Sequence, residues 1–211
     1  MNTSSINGFE SNLAKGISYA LHPLLIPLYA LLLIFRLQTL SVYIIPEAAR
    51  WLILGMTAIS TIAFPILIIL LFIRKGLIGN LRMEKQEERM YPCLIVSVIY
   101  YVMYLLFQSI KIPGIVSNFF LGVATLMLLA LFINLKWKIS LHMLAMGGIS
   151  GTFAGIAAAY ELNIVWLVAL WLLLSGVAGY ARLKLNAHKA SEVYFGFLAG
   201  AAGMFLLYYL M

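Results

Sequence analysis

Seven apolar runs, at roughly 17–35, 51–73, 92–109, 114–135, 142–160, 163–181 and 193–211, divide this chain of 211 residues, and each is bounded by charge, proline or glycine. A bilayer core about 30 Å thick needs about 20 apolar residues per helix, so runs of this length read as membrane crossings. Lipid offers the backbone no hydrogen-bond partners, which leaves helices as the spanning structure for such runs. The expected fold is therefore all-α: a polytopic membrane helix bundle with about seven transmembrane helices. Composition agrees, because 64% of the residues are hydrophobic, 10% are charged and the mean hydropathy is +1.02, far from soluble globular domains. Residues 1–16 read as a short polar N-terminal segment, and 17–211 as a single integral membrane domain.

The N-terminal MNTSSINGFESNLAKG lacks a basic cluster leading into a short apolar core, and it is not expected to be a cleaved signal peptide. The single cysteine, Cys93, excludes an intramolecular disulfide and argues for packing over metal binding. A net charge of +7 could indicate nucleic acid, but the basic residues lie in short loops between apolar runs, where lipid headgroups are the nearer anions. The partners expected are membrane lipids, with no nucleic acid. Lys and Arg are strongly asymmetric. Lys15, Arg74, Lys75, Arg82, Lys85, Arg89, Lys136, Lys138, Arg182, Lys184 and Lys189 fall on one side, against Arg36, Arg50 and Lys111 on the other, a ratio of 11 to 3. The positive-inside rule places the rich side, with the N-terminus, in the cytoplasm.

Glycines recur every four residues at Gly147, Gly151 and Gly155, and at Gly196 and Gly200, the spacing that lets helix backbones approach closely in lipid. The polar residues of chemical interest gather on the basic face. Arg82 and Arg89 lie seven positions apart, so a helical loop would aim both guanidiniums one way. Ser140 and His142 open the fifth run. Arg182 precedes His188 by six positions, and Glu192 follows it by four, within reach along one helix face. Two helices separate each cluster from the next, so all three meet the same membrane surface. Arginines hold phosphoryl groups through paired N–H donors, and two histidines can divide nucleophilic attack from proton delivery.

These motifs resemble those of the type 2 phosphatidic acid phosphatase superfamily, the integral membrane lipid phosphate phosphatases, and the chain looks like a divergent bacterial-type member. The family's Lys, six residues, Arg, Pro is similar to Arg82-MEKQEE-Arg89, with Pro92 displaced. Its Ser-Gly-His is similar to Ser140-Leu141-His142, and its Ser-Arg, five residues, His, three residues, Asp to Ala181-Arg182, His188 and Glu192. The departures are Arg82 for Lys, Leu141 for Gly, Ala181 for Ser, Glu192 for Asp, and the proline. The resemblance implies that His188 attacks phosphorus to form a phosphohistidine, Glu192 fixes its tautomer, and His142 protonates the leaving alkoxide and then activates water. Arg82, Arg89, Ser140 and Arg182 would bind the phosphate oxygens. It implies no cofactor and no metal. The substrate would be a lipid phosphomonoester or diphosphate, with phosphatidic acid, phosphatidylglycerol phosphate and polyprenyl phosphates all compatible.

The expected location is a bacterial inner (plasma) membrane with the motif-bearing face cytoplasmic, although many members of the family act on the outer face. Two other functions are compatible with the same pattern: a lipid phosphotransferase, and a non-catalytic lipid-binding or transport protein on the same scaffold. Each element also has a plainer role: the arginines as topology determinants, Ser140 as a helix cap, His142 as an interfacial residue, and His188 with Glu192 as a surface pair. His22, beside Pro23 and Pro27, has no partner apparent in the sequence and reads as interfacial.

Overall fold

The computed structural model describes residues 3–76 and 90–210, with side chains from residue 8 onward. In chain order the helices are α1 (Thr3–Ala20), α2 (Ile26–Ile34), α3 (Leu40–Tyr43), α4 (Glu47–Ala58), α5 (Phe64–Arg74), α6 (Met90–Ser109), α7 (Gly114–Asn134), α8 (Leu141–Ala159), α9 (Val165–Lys184) and α10 (Ala190–Leu210). A π-helical turn, Ile59–Ala63, joins α4 to α5. It lies just before Pro65, whose missing N–H breaks the regular ladder, and the wider turn absorbs the mismatch.

Six helices among the described residues are long and apolar enough to cross a membrane: Glu47–Arg74, α6, α7, α8, α9 and α10. The described residues are thus those of an all-helical, polytopic integral membrane protein, with six unbroken candidate crossings where about seven were expected. The run at 17–35 is not one helix. Pro23 has no N–H to give and disfavours helical geometry at His22 before it, so α1 ends at Ala20. The helix restarts as α2 with Pro27 in its first turn, where proline is tolerated. Nine residues of helix rise about 14 Å, half of a bilayer core.

The broken segment nevertheless links the two ends of the bundle. His22 lies against His142 at the start of α8, with ring centroids 5.2 Å apart. Tyr29 stacks on Trp171 within α9, and the Ser41 side chain lies near the phenol of Tyr160, just past the end of α8.

The centre of the bundle is α8, the most buried of the six candidate spans. It meets α10 backbone to backbone. A Cβ placed on Gly147 would lie 2.0 Å from the carbonyl oxygen of Phe197, on Gly151 2.2 Å from that of Ala201, and on Gly200 2.1 Å from that of Leu144. The expectation of close glycine-mediated packing is met at these positions. Polar side chains tie the remaining helices together. Ser97 donates to the carbonyl of Ala124 at 2.8 Å, Tyr208 to that of Ile115 at 2.8 Å, and the Ser150 and Ser175 hydroxyls lie 3.3 Å apart. Such bonds in a membrane contribute about 0.6 kcal/mol each, so helix contact carries most of the stability. Cys93 is buried, as its packing role requires. Exposed apolar side chains, among them Leu67, Leu105, Leu173 and Leu198, face outward where a membrane protein meets lipid.

Candidate functional site

Local backbone rules explain why His188 and Glu192 face each other. The end of α9 is a Schellman turn: Ala187 N–H donates to the Arg182 carbonyl at 3.1 Å, and Asn186 N–H to that of Leu183 at 3.0 Å. The residue at the turn must adopt positive φ, and Asn186 does, at 49°; asparagine tolerates this better than most side chains. The chain then reverses into α10, which Glu192 helps to cap. Its carboxylate accepts the N–H of Lys189 at 3.3 Å, the backward reach of an acidic residue in a first helical turn. The same oxygen, Oε2, lies 2.7 Å from Nδ1 of His188. The positions of Asn186, His188 and Glu192 thus follow from ending one helix and starting the next.

The side chains of this pair are 3% and 9% exposed, for His188 and Glu192 respectively. The surface-pair role is thereby excluded. A carboxylate at Nδ1 holds a proton on that nitrogen and leaves the lone pair on Nε2. The helix start adds a favourable field for the Glu192 charge.

Ser140 stands beside this pair, because its N–H donates to the Glu192 carbonyl at 3.4 Å. Its own carbonyl lies 2.9 Å from where a Cβ on Gly196 would be, so this glycine keeps the starts of α8 and α10 in contact. Ser140 occupies the N-cap position of α8, as its plainer role required, but its side chain makes no capping hydrogen bond. The residue is completely buried, and Oγ has no hydrogen-bond partner among the described residues. A buried hydroxyl left this way costs free energy, about 1–3 kcal/mol in comparable sites.

His142 and Arg182 complete the cluster, and residues from the N-terminal segment join them. Nε2 of His142 lies 3.3 Å from the carbonyl oxygen of Ser18. A carbonyl only accepts, so Nε2 carries the proton. Arg182 donates from Nη1 to Oγ of Ser18 at 3.5 Å, and its charge acts on both His22 and His142. His188 is near enough to act on His142 as well. Burial, and secondarily the Arg182 charge, lower the pKa of His22 below its usual 6.5, which keeps that ring neutral. Farther out, Lys184 pairs with Glu10 of α1.

Five of the seven residues singled out in the sequence, Ser140, His142, Arg182, His188 and Glu192, therefore gather at one end of the bundle. Arg82 and Arg89 lie outside the described residues. His22 and Ser18 were not anticipated. His22 is 120 residues from His142 in the chain, and the one local signal was the break-forming proline that follows it. Among the described residues no group of three or more His, Cys, Asp or Glu is placed to hold a metal ion.

The arrangement offers an imidazole with a carboxylate behind it, a second imidazole, a guanidinium and a buried hydroxyl, set between two helix starts. Comparison with known proteins finds no matching family model, no matching curated protein and no matching solved structure.

Proposed function

We propose that the chain is a membrane lipid phosphate phosphatase of the type 2 phosphatidic acid phosphatase kind, acting through a phosphohistidine. The observation that carries this reading is the buried His188–Glu192 pair at 2.7 Å, at a helix start shared with Ser140 and close to Arg182 and His142. In the proposed reaction the Nε2 lone pair of His188 attacks phosphorus as the bond from phosphorus to the lipid oxygen breaks. The departing oxygen takes its electron pair and a proton from His142. Water then attacks the phosphohistidine, giving a proton back to His142, and the P–N bond breaks with its electron pair returning to Nε2 and release of inorganic phosphate. Glu192 stabilises the positive charge on His188 during attack. The Arg182 guanidinium and the Ser140 hydroxyl offset negative charge on the nonbridging oxygens, joined in this proposal by Arg82 and Arg89.

The site sits at the basic end of the helices, so the lipid chain would remain in the bilayer while its headgroup reaches the cluster. With 11 of 14 Lys and Arg on that side, the proposed orientation is cytoplasmic in a bacterial inner membrane. A cytoplasmic site suits lipid phosphates made on that face, such as phosphatidylglycerol phosphate. The decisive assay is phosphate release by the purified protein in detergent with chelator, from phosphatidic acid, phosphatidylglycerol phosphate and polyprenyl phosphates. Release by wild type that disappears in folded His188→Ala supports the proposal. A folded wild type that releases no phosphate across the panel refutes it.

A further inference from the structure

We infer that the N-terminal segment supplies the positioning pair for His142, with the Ser18 carbonyl fixing its tautomer and the His22 ring fixing its plane. This inference names residues for the phosphatase reading above, and rests on that reading for its kinetic half alone. Glu192 orients His188 from within the same helix start. His142 has no carboxylate hydrogen bond of that kind among the described contacts, and its ring nitrogen Nε2 is engaged by a main-chain carbonyl 124 residues away. Since that carbonyl accepts the Nε2 proton, the nitrogen with the lone pair is Nδ1. Proton exchange with a bound substrate is thereby assigned to Nδ1. A bound phosphoryl dianion supplies the negative charge that allows Nδ1 to take up a proton and then release it to the leaving oxygen.

His22 holds the ring from the side. The two imidazoles meet edge to face, with centroids 5.2 Å apart and planes at 82°. His22 is itself anchored, because its Nδ1 accepts the N–H of Leu24 at 3.3 Å. That bond stabilises the turn around Pro23 and places the His22 proton on Nε2. The residue therefore has two separable tasks: a ring against His142, and an acceptor for the turn. His22 lies against His142 and within the field of the Arg182 charge, and a neutral ring there adds no further positive charge beside the proton carrier.

Two substitutions divide these tasks. His22→Asn retains an acceptor for Leu24 N–H, in the manner of an Asx turn, and removes the ring. His22→Phe retains the ring and removes the acceptor. With only 3 histidines in the chain, long-range ¹H–¹⁵N spectra of histidine-labelled protein in detergent report the His142 tautomer directly, with signals assigned by single substitutions. The expected result is an Nε2–H tautomer in wild type and in His22→Phe, and a mixture in His22→Asn, where a ring no longer held in plane leaves the Ser18 carbonyl. Phosphate release from phosphatidylglycerol phosphate should fall in kcat by about 10–100-fold in His22→Asn, with KM little changed, and by less than about 3-fold in His22→Phe. An unchanged tautomer and kcat in folded His22→Asn, or a larger loss in His22→Phe, overturns the inference and leaves His22 a turn residue. If wild type releases no phosphate, the phosphatase reading fails, and the tautomer spectra decide the positioning of His142 independently.

Discussion

The contact of α8 with α10 makes a sharp quantitative prediction. A methyl group added at Gly147 would meet three backbone atoms: the carbonyl oxygen of Phe197 at 2.0 Å, its carbon at 2.8 Å and the nitrogen of Ala201 at 2.9 Å. None belongs to a side chain that can rotate away. A carbon and a carbonyl oxygen rest at about 3.3 Å or more, so Gly147→Ala must push the helices roughly 1.3 Å apart along that contact. Overpacking of this kind costs about 1–3 kcal/mol, while the gain in helix propensity from glycine to alanine returns about 1 kcal/mol. The net expectation is a loss of up to about 2 kcal/mol, or a fall in Tm of up to about 8 °C for a chain this size.

Gly176 in α9 is the matched control, with nothing within 4 Å of an added Cβ. Gly176→Ala should match or exceed wild-type stability. Thermal unfolding of the purified variants in one detergent, followed by tryptophan fluorescence, measures the difference. The separation also draws the His188–Glu192 helix start away from Ser140, so phosphate release should fall by up to about 100-fold, as displacements near 1 Å can cause. Equal melting temperatures for the two alanine variants would refute the steric argument.

The remaining predictions concern the site. Ser140→Ala removes a buried hydroxyl without a partner among the described residues, so stability should hold or rise by up to about 1 kcal/mol while phosphate release falls; a destabilised variant would show that the hydroxyl has a structural role. Asn186→Gly should leave the Tm unchanged or slightly higher, whereas Asn186→Val, forced to positive φ, should lower stability by about 1–2 kcal/mol and release along with it. His22 has a folded-state pKa below its unfolded value of about 6.5, so the unfolded chain binds more protons on this group below that pH. Its contribution therefore remains in place above pH 6.5 and is lost as pH falls through the depressed folded-state pKa. Acid titration of stability should be shallower in His22→Phe than in wild type, and superimposable curves would rule out this linkage.

The sequence expressed the crossings well because each depends on one local property, sustained apolarity between polar ends. The first run misled because hydropathy alone does not register backbone chemistry: Pro23 and Pro27 sit in it without lowering its apolar character, yet they divide the helix. His188 and Glu192 were legible because four residues of helix-start geometry bring them together. The Gly147 and Gly151 contacts were legible as spacing, although their partner α10 was not. Ser18 and His22 were opaque for a different reason. Their partners are tertiary, 124 and 120 residues distant, and one of the two contributes a carbonyl that every residue possesses. Leu141 illustrates a further limit, since its partial burial against the core is a packing property invisible in the motif.

The long separations within the cluster have a consequence for biogenesis. Ser18 meets groups 124 and 164 residues later in the chain, and Glu10 meets Lys184. Helix α1 is thus made before α8 and α9, and can dock on them only after they have been made. During synthesis it must wait without its final partners. The cluster closes as a late event of assembly, and a nascent chain halted after α7 would contain an N-terminal segment whose docking surface does not yet exist.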